Sequence, residues 1–356
     1  MSMGNVRKKE DTGYITLLSV ISAVAVVIIH VNSDCFGNLG SDNRYWFGAN
    51  IIECIVYFAV PIFFMISGAT LIDYRDRYST KEYFIKRIKK TVIPYIIWTA
   101  ISILYFVLTK RGGISEIGLR YLIERFISPT WVYWFFAPLF IAYCIIPLLS
   151  LVPKEKRKSI FLYLALLSFI SNSVIPFIQN NVYFFSFKNP FTIGGEYTFY
   201  ILAGYLLRHF KLDRKKEIAV YAAAIAGLLL HIIGTYRLSM NAGSLIDTCK
   251  GYNNVPCVLY SLGIFLLFKN YGNKLMSKFL NKPINFLAKY TFGIYLLHMY
   301  FVEMLPKLTV YAGIADNASF VDTYLYRFSA VTIIIFMCVI IIFLLRKIPA
   351  IRHIVP

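Results

Sequence analysis

Charge is scarce in this chain. Only 15% of its 356 residues are Asp, Glu, Lys or Arg, against roughly 25% in an ordinary soluble domain. Carboxylates are scarcest, 18 in all against 37 lysines and arginines. The six cysteines lack metal-ligand spacing, so no metal centre is expected. Cys249 and Cys257 fall in or beside one outer loop, and either a disulfide or two free thiols suits that placement. No internal repeat and no inverted symmetry of broken helices is visible, which disfavours a generic ion-coupled transporter. No cleavage site of small residues follows the first hydrophobic run, which is too long for a signal-peptide core and is read as retained.

What the chain has instead is apolar sequence. Apolar residues make up 58% of it, arranged in runs near 14–31, 46–72, 91–109, 131–152, 159–178, 193–207, 217–236, 255–268, 284–304 and 325–345. Crossing roughly 30 Å of hydrocarbon takes about 20 such residues. The expected fold is therefore all-α, a polytopic membrane helix bundle of about ten spans, with the sixth and eighth runs the shortest. With the N-terminus placed inside, about three-quarters of the lysines and arginines fall on inner segments, the positive-inside pattern. Both termini are then cytoplasmic. The division is a basic tail over 1–13, a transmembrane domain over 14–346 and a second tail over 347–356. Topology explains most of the net charge of +19, and attraction to lipid headgroups explains the rest more simply than nucleic acid does.

Between spans two and three, Tyr83, Phe84, Ile85 and Ile88 alternate with Lys81, Lys86, Arg87, Lys89 and Lys90, which predicts an amphipathic helix lying in the inner interface. Leu119, Leu122, Ile123 and Phe126 recur at helical period and predict a short helix on the outer surface. Pro61, Pro94, Pro138 and Pro147 lie within or at the start of spans and predict kinks near a cavity.

His30 closes an uncharged run from Tyr14 to Ile29. A histidine so placed marks a proton-handling or ligand site, or else hydrogen-bonds within the interface. His298 and His231 are expected at a similar depth. Asp34, Glu53, Glu196 and Glu303 supply carboxylates at the outer ends of spans, and Glu53 lies a few residues inside span two. A carboxylate beside an imidazole fixes its tautomer and stabilises the imidazolium, as base activation of a hydroxyl requires. Trp131 and Trp134 open span four, as an aromatic belt or as a stacking floor for a sugar. Ser67-Gly68 suits close helix packing. The basic helix suits either inner-side charge or the phosphates of a nucleotide-like donor.

The chain resembles the membrane acyltransferase-three family, multi-span enzymes that O-acetylate bacterial surface polysaccharides. The strings that carry the resemblance run in order over about residues 14 to 346. They are Val26-Val27-Ile28-Ile29-His30, Val60-Pro61 through Ser67-Gly68, Lys86-Arg87-Ile88-Lys89-Lys90 leading to Pro94-Tyr95, Tyr133-Trp134-Phe135-Phe136 with Tyr143 and Pro147, Ala203-Gly204-Tyr205, and Gly293 to His298. Ser19 stands where the family commonly has an arginine, and Val132 where many members have a histidine.

The resemblance implies a multi-pass protein of the bacterial cell membrane with no bound cofactor. An acyl group, usually acetyl, leaves cytoplasmic acyl-CoA for a hydroxyl of a surface glycan or lipid-linked sugar. His30 corresponds to the family's catalytic histidine. The expected catalytic set is His30, Glu53 and His298, with Glu53 or Asp34 orienting His30. Arg87, Lys90, Trp134, Tyr143 and Glu196 are the expected substrate-binding residues. The runner-up is a glycan exporter or assembly protein on the same spans, without acyl chemistry.

Overall fold

A computed structural model describes residues 13–37, 39, 43–109, 118–127, 131–182, 195–276, 278–305, 320–349, 351 and 354–355. Among them there are helices and no strand. In chain order the α-helices are α1 (Gly13–Gly37), α2 (Asn43–Val56), α3 (Ala59–Leu71), α4 (Thr80–Arg87), α5 (Ile93–Thr109), α6 (Leu119–Ile127), α7 (Phe136–Leu149), α8 (Lys154–Phe169), α9 (Ile175–Asn181), α10 (Thr198–His209), α11 (Arg214–Ala242), α12 (Val255–Leu275), α13 (Lys278–Ala288), α14 (Thr291–Met304) and α15 (Phe320–Lys347).

Among the described residues, eight helical stretches are long and apolar enough to cross a membrane. Two expected spans fall short of that length: α10 has 12 residues and α14 has 14. Both are packed inside the bundle, where a short helix needs no lipid-matched length. The eighth run is longer than expected, continuing through Leu275 as a 21-residue helix. Below, the outer end of the bundle is the one that the charge bias assigns to the exterior.

Two interruptions follow directly from proline chemistry. The segments Ile88–Val92 and Ile170–Val174 are π-helical, and each ends two residues before a proline, Pro94 or Pro176. Proline brings no N–H to the helix ladder, and a wider turn absorbs the mismatch. The amphipathic α4 forms as expected. Ser79 accepts from the Glu82 amide while the Glu82 carboxylate accepts from the Ser79 amide, a capping box that starts the helix. Phe84, Ile85 and Ile88 stay exposed beside the lysines. The outer helix α6 also forms.

Span one, α1, is central and packs against α2, α3, α12, α14 and α15. Helices α3 and α10 cross in backbone contact. A Cβ on Gly68 would lie 1.9 Å from the Ile201 carbonyl, and one on Gly204 would lie 2.0 Å from the Met65 carbonyl. Small residues therefore permit backbone contact here. At the inner end, buried Arg157 donates to Asp73 at 2.5 Å, to Tyr205 at 3.0 Å and to the Ser150 and Val152 carbonyls. His209 reaches the same Asp73 carboxylate at 3.2 Å. Spans two, five and six are thereby tied together opposite the chemistry described next.

Candidate active site

His30 and His298 meet at the outer end, with ring centroids 5.2 Å apart. His30 lies about two turns before the end of α1, is half-buried, and its ring hydrogen-bonds no described residue. His298 is fully buried. Its Nδ1 lies 3.0 Å from the Ile294 carbonyl, one turn back on α14. A carbonyl only accepts, so Nδ1 carries the proton and Nε2 presents a lone pair in the neutral ring. That Nε2 has no partner. The local helix thus sets the tautomer, and no carboxylate is needed to do so.

Glu53 is 3% exposed, but its hydrogen bonds lead away from His30. Asn32 Nδ2 donates to Oε2 at 3.0 Å, and the Lys250 ammonium pairs with Oε1 at 3.0 Å. Asn32 follows His30 by two residues, and at about 100° per residue the two side chains project to opposite sides of α1. The expected role of orienting His30 therefore does not match the carboxylate's contacts. Asp34, the other candidate, has its side chain outside the described residues.

Lys250 and Asn32 are residues that sequence reasoning passed over. The Lys250 ammonium sits 4.3 Å from the Phe36 ring centroid and 4.5 Å from that of Tyr57, an aromatic cage closed by one carboxylate. It belongs to the outer loop between α11 and α12, which is pinned inward. Asn254 donates to the Thr248 carbonyl at 2.8 Å, Ser239 accepts from the Ile246 amide at 2.9 Å, and Tyr200 donates to the Tyr252 carbonyl.

From that cage a stack of rings crosses the bundle. Tyr57 stacks on Tyr252 at 4.2 Å, and Tyr252 on Trp134 at 5.6 Å. Trp134 is half-buried and walls a cavity of about 450 Å³ between α7 and the start of α10, lined also by Pro138, Ile141, Glu196, Tyr197 and Thr198. Glu196 is exposed at its rim, while the Thr198 hydroxyl is buried without a partner. The adjoining Phe135 contacts Tyr295 at 5.5 Å, and Tyr295 contacts His298 at 6.0 Å. Two latches hold the Trp131–Phe135 segment on α14: Tyr133 donates to the Leu296 carbonyl at 2.9 Å, and Tyr295 to that of Val132.

The remaining expected residues gather at the inner end. Arg87 lies between the rings of Tyr83 and Tyr143, at 5.9 and 5.5 Å. Its Nε is buried without a partner. Tyr143 therefore belongs with Arg87 and not with the outer cavity, while Lys90 is exposed. His231 is fully buried beside Tyr57 at 5.5 Å, with neither ring nitrogen partnered. It does not join the other two histidines in a ring contact.

A family model described as an acyltransferase domain, of acyltransferase family 3, matches residues 12–347, nearly the whole length. No curated protein and no solved structure matches the chain.

Proposed function

The chain belongs to acyltransferase family 3 and is a membrane acyltransferase, and on that footing we propose that it is an O-acyltransferase, acetyl-specific first of all. It would take the acyl group from cytoplasmic acyl-CoA and give it to a hydroxyl of a surface polysaccharide or lipid-linked sugar in the bacterial cell membrane. The observation that carries the reading is the His30–His298 pair, two imidazoles in contact with one nitrogen tautomerically fixed as an acceptor.

In this scheme His30 takes the proton of the acceptor hydroxyl as its oxygen attacks the thioester carbonyl. The carbon–sulfur bond then breaks, and the proton passes from the imidazolium to the coenzyme A thiolate. His298 Nε2 accepts a hydrogen bond from the imidazolium and stabilises it. General acid–base catalysis of this kind contributes about 10²–10⁴-fold. Trp134 gives the acceptor sugar a stacking face, with Glu196 and the free Thr198 hydroxyl as hydrogen-bond partners. Arg87 and Lys90 meet donor phosphates from the inner side, with Tyr143 holding the Arg87 plane. Glu53 serves by holding Lys250, and hence the outer loop whose Tyr252 stacks on Trp134.

Ser19 and His30 are about 16 Å apart along α1 at 1.5 Å per residue, so the pantetheine arm must thread deep into the bundle. The test is mass spectrometry of surface glycans from cells with the wild-type gene, without it, and with His30→Ala. Loss of an acyl mass at unchanged polymer amount in the last two supports the reading. Lost polymer with unaltered chemistry overturns it in favour of export.

A further inference from the structure

The last span carries a buried cation whose charge no described carboxylate answers. Arg327 lies near the outer end of α15 and is 8% exposed. Its guanidinium makes one hydrogen bond, from Nη1 to the Asn32 side-chain oxygen at 2.9 Å, and lies 5.3 Å from the Tyr324 ring centroid. Among the described residues no carboxylate pairs with it. Glu53, the nearest by this network, is committed to Lys250 at 3.0 Å. Asn32 cannot help, because an amide is neutral and its nitrogen is already donated to Glu53 and to the Ala49 carbonyl.

A buried guanidinium without a counterion is costly, and proteins rarely leave one so. None of the other Arg327 nitrogens is sealed without a partner, so the unused N–H groups open onto accessible space. The neighbouring residues of α15 face outward from the bundle. Leu325 is 61% exposed and Phe328 75% on either side of Arg327 in sequence. One turn back on α15, the Tyr324 side chain reaches α2, where a Cβ on Gly48 would meet its hydroxyl oxygen at 1.6 Å.

We propose that Arg327 is a binding site for the phosphate of an outer-leaflet lipid, seated between α1, α2 and α15. A planar fork of N–H donors matches two phosphate oxygens at once. The exposed apolar side chains of α15 face the lipid's tails. Two sources share this chemistry, the headgroup of a bulk anionic phospholipid and the phosphate of an isoprenoid carrier. The site lies on the far side of α1 from His30 and does not depend on acyl transfer.

The test uses the full chain, purified in mild detergent and placed in nanodiscs of phosphatidylcholine containing a minor share of phosphatidylglycerol or of undecaprenyl phosphate. Native mass spectrometry then reads which lipid stays bound. Wild type and His30→Ala are expected to retain one anionic lipid. Arg327→Gln is expected to lose at least tenfold in retention, and Arg327→Lys to lose part. Should Arg327→Gln fail to fold, Arg327→Lys decides, because it keeps the charge but not the planar fork and is expected to hold the lipid severalfold less tightly than wild type. Preference for undecaprenyl phosphate identifies a carrier lipid, and preference for phosphatidylglycerol a bulk headgroup. Equal retention by wild type, Arg327→Gln and Arg327→Lys overturns the proposal.

Discussion

Glu53 and Lys250 form a pair at 3.0 Å, almost sealed from solvent, joining span two to the outer loop between α11 and α12. Removing one partner strands the other's charge, at roughly 3–5 kcal/mol. Removing both leaves only the loss of packing. Glu53→Gln and Lys250→Met are therefore each expected to lower the thermal midpoint of the detergent-solubilised protein sharply, and the double variant to recover much of it. Thermal melts of the four proteins check this, and additive losses would contradict it.

Backbone contact between α3 and α10 gives a second expectation. A methyl at Gly68 or Gly204 meets a carbonyl at about 2 Å, and neither atom can retreat without separating the helices. Gly68→Ala and Gly204→Ala should each cost several kcal/mol, as overpacking against backbone does. Yield of folded protein on size-exclusion chromatography reads the effect. The neighbouring Ser67→Ala, whose hydroxyl bonds only its own helix at Phe63, should elute as wild type.

The architecture was legible because lipid imposes a simple grammar: uncharged runs of span length, and lysines and arginines kept to one side. The same grammar misleads for α10 and α14, since a helix surrounded by protein need not match the bilayer. His30 and His298 stood out because an imidazole is conspicuous in apolar sequence. Their meeting is a tertiary fact that periodicity does not contain. Glu53 stood out for the same reason, but its partner could not be read, because Lys250 reaches it from a loop nearly two hundred residues away. Arg327 did carry a signal. It sits inside the last hydrophobic run, where an ionisable residue is a functional candidate by default.

The ring stack beside the cavity leads to a third expectation. If Trp134 is the stacking face for the acceptor, Trp134→Ala should raise the acceptor KM about tenfold, or roughly 1.4 kcal/mol, with kcat little changed. Trp134→Phe keeps an aromatic face and should retain most of the affinity. Steady-state kinetics with varied acceptor separates the two constants. A fall in kcat alone would place Trp134 with the reacting atoms instead.

All six cysteines are free thiols, including Cys249 and Cys257, whose pairing the sequence left open. Denatured, unreduced protein should titrate to six thiols. In the folded protein, burial pushes the Cys249 thiol above its ordinary value. Its reactive thiolate therefore appears only at higher pH than for an exposed cysteine. Alkylation at Cys249, followed by peptide mass spectrometry, should stay slow at neutral pH and accelerate on the alkaline side. Fast labelling at neutral pH would contradict the buried placement.

The contact between His30 and His298 bears most directly on the chemistry, and a double-mutant cycle on acyl transfer tests it. His30→Ala and His298→Ala are each expected to lower the rate by about 10²–10⁴-fold. Because groups acting as a unit are not additive, the double variant should be no slower than the slower single one. Two losses that multiply, or a wild-type rate in either single variant, would contradict a shared proton-handling pair.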